Sequence, residues 1–111
     1  MGEHVTHTVF FDLLVQPESE EAERFLASSR LILMSIPGVA QFQVLRQISP
    51  RNDLPFGFIM KFLNHAAYAA FQSHPEYRHY LREVWQRQVA MFQEIAYVPW
   101  KEASLLEPVE M

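Results

Sequence analysis

Residues 4–15, HVTHTVFFDLLV, alternate in a way that leaves neither side of the segment polar. β-Branched and aromatic side chains suit a pleated surface, and successive side chains point to opposite faces. One face carries Val5, His7, Val9, Phe11 and Leu13; the other carries Thr6, Thr8, Phe10, Asp12 and Leu14. Such a strand needs cover on both sides. That requirement constrains every later element.

Gln16-Pro17-Glu18 breaks the strand. Ser19 is placed to cap a helix, because its hydroxyl can accept an orphan amide of the first turn. Glu20, Glu21 and Glu23 follow, and negative charge is favoured there by the helix dipole. Ala22, Phe25, Leu26, Ser29, Ile32, Leu33 and Ile36 recur at helical spacing, which predicts a helix over 19–35 ended by Pro37-Gly38. Two strands are expected at 39–48 and 56–63, separated by the turn-rich 49–55. In the first, Ala40, Phe42, Val44 and Ile48 share a face with Arg46; in the second, Phe56, Phe58, Met60 and Phe62 share one.

Asn64 is a good cap for a short helix at 65–73, which His74-Pro75 interrupts. Proline is tolerated in a first turn, so a second helix is expected over 75–91. Residues 93–98 read as a last strand and 100–111 as a tail able to pack on a partner subunit. The order strand, helix, strand, strand, broken helix, strand is the βαββαβ pattern of a ferredoxin-like α+β domain, spanning 4–99. Helices then cover one sheet face. The other face is too apolar for a monomer, so a second copy of the chain is the expected cover.

Composition removes several function classes. The 111 residues include no cysteine, which excludes disulfides, thiolate metal sites and cysteine nucleophiles and fits a cytoplasmic setting. The net charge is −4 and the nine basic residues are scattered, so no nucleic-acid partner is expected. No apolar run approaches the roughly 20 residues of a membrane span, and the start lacks a signal-peptide pattern. Met1-Gly2-Glu3-His4-Val5-Thr6 fits a permissive N-myristoylation pattern, but no basic cluster supports it and Val5 already reads as strand.

Short motifs in this order resemble the stress-responsive A/B barrel family, Dabb. They are His7-Thr8-Val9-Phe10-Phe11, Ile36-Pro37-Gly38-Val39, Met60-Lys61-Phe62, Tyr68-Ala69-Ala70-Phe71-Gln72-Ser73-His74-Pro75 and Ala96-Tyr97-Val98-Pro99. The resemblance implies a dimeric α+β barrel. Plant members include polyketide cyclases that close a ring without metal or cofactor and use a Tyr-x-x-His-Pro-x-His segment as an acid/base pair. Here the His-Pro hinge stands at His74-Pro75, but Phe71 replaces the tyrosine and Tyr77 the second histidine. Phe56 stands where those cyclases carry a third-strand histidine, and only the first-strand histidine, His7, is kept.

His7 is therefore the leading catalytic candidate, since histidine alone has an ordinary pKa near neutrality, about 6.5. Tyr77, beside the His-Pro break, is the candidate proton donor. The structural alternatives are a buried histidine bonded to a carbonyl and a tyrosine closing the core with its hydroxyl at the rim. Phe11, Phe25, Phe56, Phe58, Phe71 and His74 are the candidate ligand-pocket set, with core packing, or helix capping for His74, as the alternative. No metal is expected: His74 and His79 are too far apart for one helix face to chelate, and His4 and His7 point to opposite sides of a strand. Arg46 could meet a ligand carboxylate or reach solvent at a strand end. The readings left open are a binding module for a small apolar or aromatic ligand, a cofactor-free cyclase-like enzyme and a monooxygenase-like enzyme.

Overall fold

A computed structural model describes residues 3–49 and 51–101. Strand β1 spans Val5–Leu13, helix α1 Glu20–Met34, β2 Gln41–Arg46 and β3 Phe56–Phe62. Helix α2 spans His65–Ser73 and α3 Pro75–Tyr80; a π-turn over Leu81–Trp85 and a short α4, Gln86–Gln88, lead into β4, Val89–Tyr97. The four strands form one antiparallel sheet in the order β2-β3-β1-β4, so the fold is ferredoxin-like α+β.

The caps read from the sequence are made. Ser19 Oγ accepts from the Ala22 amide at 3.1 Å and Asn64 Oδ1 from the Ala67 amide at 2.8 Å. His74 closes α2 and opens α3, its Nδ1 accepting from the Glu76 amide at 3.1 Å. Gly38 takes a φ of 102°, a left-handed conformation that glycine adopts without steric cost, and the chain turns there into β2.

The central strand β1 pairs with β3 on one side and β4 on the other. Val5, His7, Val9, Phe11 and Leu13 are all buried beneath the helices. Across from them lie Phe56, Phe58, Met60 and Phe62 of β3, also buried. Phe11 is the centre of this layer. Its ring meets those of Phe25, Phe56, Phe58 and Trp85 at centroid distances of 4.8–5.8 Å. The opposite, helix-free face is mixed. It carries Phe10, Leu45, Ile59 and Ile95, each half-buried in the single chain, beside Thr6, Gln41, Gln43 and Lys61.

Three boundaries differ from the sequence reading. The second helix does not run to 91: Val89, Met91 and Phe92 belong to β4, paired with Leu13, Asp12 and Phe11. Their apolar spacing suits helix and strand alike, and the open edge of β1 decides between them. Strand β1 ends at Leu13, where the Asp12 carboxylate accepts the Leu13 amide at 2.8 Å and the register with β4 shifts. Strand β2 ends at Arg46, leaving Ile48 beyond the ladder and exposed. Of the expected tail, residues 102–111 lie outside the described residues.

Truncating Phe11 removes the ring on which four others close. Phe11→Ala is expected to cost about 3–5 kcal/mol, the usual range for large aromatic-to-alanine changes in a core. Urea unfolding of the two proteins measures it.

Candidate functional site

Period-two alternation puts His7 on the helix-facing side of β1, with Met60 across from it on β3 and Ala96 on β4. Its side chain is 1% exposed. An imidazole in an apolar layer is costly unless its polar atoms are paired, and both ring nitrogens have partners. Nδ1 lies 2.7 Å from the Tyr68 hydroxyl of α2. Nε2 lies 3.2 Å from Oε2 of Glu94, the β4 residue paired with Val9 on the same sheet face. A carboxylate offers no proton, so this pair places the imidazole proton on Nε2. Nδ1 then accepts from Tyr68.

A cavity of about 210 Å³ opens beside this cluster, between the sheet and the α3-to-α4 segment. Val9, Phe58 and Met60 of the sheet and Leu33 of α1 line it together with Leu81, Trp85 and Phe92. The polar end is His7, Tyr77 and Glu94, with Tyr80 and Gln86 nearby. Tyr80 is already committed, donating to Ser29 Oγ at 2.8 Å. The π-turn helps shape the space. Leu81 and Trp85, its first and last residues, both reach the cavity. A π-turn inserts a residue into a helix and re-aims the side chains after it, a device common at functional sites.

The sequence-derived candidates separate. His7, Tyr77 and Phe58 line the cavity. Phe11, Phe25, Phe56 and Phe71 are buried outside its lining, because their rings close on neighbouring rings: Phe71, for example, packs on Phe62 and Tyr77 at 4.9 and 4.3 Å. His74 spends its ring nitrogen on the helix cap and lies outside the lining. Arg46 is exposed and also outside it. The sequence reading missed Tyr68 and Glu94. Tyr68 shares a helix face with buried Phe71, three residues on. Glu94 shares a strand face with Phe92 once β4 is allowed to begin at Val89.

Burial lowers the His7 pKa from its ordinary value, and the Glu94 carboxylate opposes that shift without reversing it. Burial first, and the same carboxylate second, raise the Tyr68 and Tyr77 hydroxyls, Tyr77 strongly. Both tyrosines are therefore hydrogen-bond donors at neutral pH. His7 also ties stability to pH. Below about 6.5, the ordinary histidine value, the unfolded chain takes up a proton that folded His7 resists. The stability held above that pH is lost as the pH falls toward the lowered folded value. Urea unfolding of the wild type is expected to lose stability more steeply below pH ~6.5 than a His7→Gln variant. Parallel pH profiles would show that His7 titrates alike in both states.

Residues 5–95 match the Stress responsive A/B Barrel Domain family, Dabb. No functionally curated protein matches the chain significantly. Among solved structures, a Dabb family protein with a ferredoxin-like fold from Mesorhizobium loti is 42% identical, with a TM-score of 0.86 over 89% of this chain and 99% of that one. A dimeric ferredoxin-like protein of unknown function from Thermobifida fusca is 16% identical, with a TM-score of 0.72 over 89% and 93% of the two chains. Hydroxynitrile lyase from Passiflora edulis is 16% identical, with a TM-score of 0.77 over 92% and 98%. The family match over residues 5–95 and the 42% identity agree with the fold, and the chain belongs to the stress-responsive A/B barrel domain family.

Proposed function

We propose that the cavity binds a small, largely apolar molecule and presents its polar end to that molecule for cofactor-free proton transfer. The observation that carries this reading is the asymmetry of the lining. Seven apolar side chains surround one end that holds a buried imidazole, a carboxylate and a tyrosine hydroxyl. Ligand pockets have this composition, whereas a packing defect is apolar throughout. An empty cavity of about 150 Å³ accepts benzene, so one substituted ring suits the 210 Å³ available here. The His7 contacts favour chemistry over storage, because the Glu94 carboxylate is oriented by an imidazole that a hydroxyl orients in turn, the arrangement that acid–base catalysts use. The Passiflora edulis lyase shows that an enzyme is built on this fold. A reducing compartment such as the cytoplasm suits the cysteine-free chain.

A pair of chains completes the proposal. The helix-free face gathers Phe10, Leu45, Ile59 and Ile95, with Met91 and Tyr97 exposed on β4. Burying that face against a second sheet would close an α+β barrel, and the Thermobifida fusca neighbour is described as dimeric. Light scattering at micromolar concentration is expected to return twice the chain mass; a single chain mass refutes the pairing.

Isothermal titration with p-cresol is expected to show saturable binding. Val9→Phe, which fills the cavity from the sheet side, is expected to abolish it while the protein still melts cooperatively. Failure of p-cresol and other neutral single-ring ligands to bind the wild type would leave the cavity a packing feature.

A further inference from the structure

His7 has no free nitrogen for a ligand: one faces Tyr68 and the other Glu94. Two other polar atoms at the cavity's end are free. Glu94 meets the imidazole through Oε2, so Oε1 remains available. The Tyr77 hydroxyl makes no hydrogen bond among the described residues, yet it is not sealed off, since the only buried unpartnered side-chain atom there is Gln47 Oε1. Both Glu94 and Tyr77 line the cavity, and Glu94 is 47% exposed at its mouth.

Building on the pocket reading above, we infer that Glu94 is the group that exchanges a proton with the ligand, that Tyr77 holds the resulting anion, and that the ligand is a neutral single-ring acid of phenol or enol type. In the resting complex the ligand keeps its proton and donates it as a hydrogen bond to Glu94 Oε1; in the step itself the ligand's O–H bond breaks and an O–H bond forms at Oε1. The negative charge passes from the carboxylate to the ligand oxygen, where the Tyr77 hydroxyl donates a hydrogen bond to it. The reverse step returns the proton. His7 is a positioning residue: its Nε2 proton fixes Oε2, and Tyr68 fixes the tautomer from the other side. The charge of the lining sets the ligand class. Among the described residues no lysine or arginine lines the cavity, and the one carboxylate in its lining is Glu94. A ligand that arrives as an anion meets repulsion with no counter-charge, whereas a neutral acid meets an acceptor.

The probe is 4-nitrophenol, which is yellow only as the phenolate. Wild-type protein is expected to bind its neutral form, with affinity falling about tenfold per pH unit once the pH exceeds the probe's own pKa. In Glu94→Gln the repulsive charge is gone and Tyr77 remains. The bound probe is then expected to turn yellow, and the loss of affinity at high pH to disappear. Glu94 is partly exposed, so this variant keeps the fold, and unchanged thermal melting verifies that. In His7→Gln, affinity for the neutral probe is expected to drop several-fold while the phenolate stays excluded, because the carboxylate is still present but no longer fixed. An unchanged spectrum and pH profile in Glu94→Gln overturns the assignment to Glu94 and leaves the pocket standing. No binding to wild-type protein at any pH overturns the pocket as well.

Discussion

The site depends on an imidazole that the sheet forces into an apolar layer. Position 7 follows the same alternation as Val5, Val9, Phe11 and Leu13, so its side chain is directed into the helix-facing layer. An unpaired polar ring there would cost several kcal/mol in an apolar medium. The fold meets the cost from two elements that are distant in sequence: α2 supplies a hydroxyl through Tyr68, and β4 supplies a carboxylate through Glu94. These contacts fix more than stability. They set the tautomer, hold the Glu94 carboxylate at the cavity's end, and connect helix layer, central strand and edge strand through one ring. Burial favours neutral His7, and the neutral ring still donates its Nε2 proton to Glu94, so the protonation state that the fold favours is one that holds the carboxylate.

The cavity survives in a crowded aromatic core because of how the chain passes from α3 to β4. Phe11, Phe25, Phe58 and Trp85 pack ring on ring beside it. The π-turn over Leu81–Trp85 changes the helical phase just before the chain re-enters the sheet. Trp85 can then reach the core and still form a cavity wall, with Phe92 meeting it edge-on at 5.7 Å. Phe92 is 55% exposed, so the wall on the β4 side is also the side open to solvent.

Much of the fold was legible because its signals are local. Ser19 and Asn64 announce helix starts by chemistry that acts within one turn, and His74-Pro75 announces the break between α2 and α3. The order of the elements pointed to the ferredoxin-like sheet that is observed. The site was legible only in part. His7 stood out as an ionisable residue on an apolar face, but its partners lie 61 and 87 positions away, and nothing local marks them. Glu94 was hidden further by the boundary of β4. With the helix read to 91 and the strand begun at 93, its alternation with Phe92 was invisible. The aromatic candidates had a different fault. Ring-rich faces mark a core reliably, but which ring faces empty space depends on the phase of a neighbouring helix.

The same comparison explains why the cyclase resemblance transfers so unevenly. The segment Phe71–Tyr77 keeps the His-Pro hinge, and the hinge works here as backbone architecture: His74 caps α3 and Pro75 occupies its first turn. The cyclase tyrosine position is occupied by Phe71, which is fully buried and has no polar atom to offer. A hydroxyl nevertheless reaches the first-strand histidine, from Tyr68, one helical turn earlier on the same face of α2. Helical geometry makes that substitution feasible, since residues three apart project side by side. The second cyclase position holds Tyr77, whose raised pKa suits it to donate a hydrogen bond and not to accept a proton. In the proposed proton transfer the acceptor comes from β4, as Glu94, whose carboxylate lies 3.2 Å from the histidine. A donor, an acceptor and an orienting imidazole are all present at one end of an apolar cavity, but two of the three come from positions that a motif aligned on the His-Pro segment would never include.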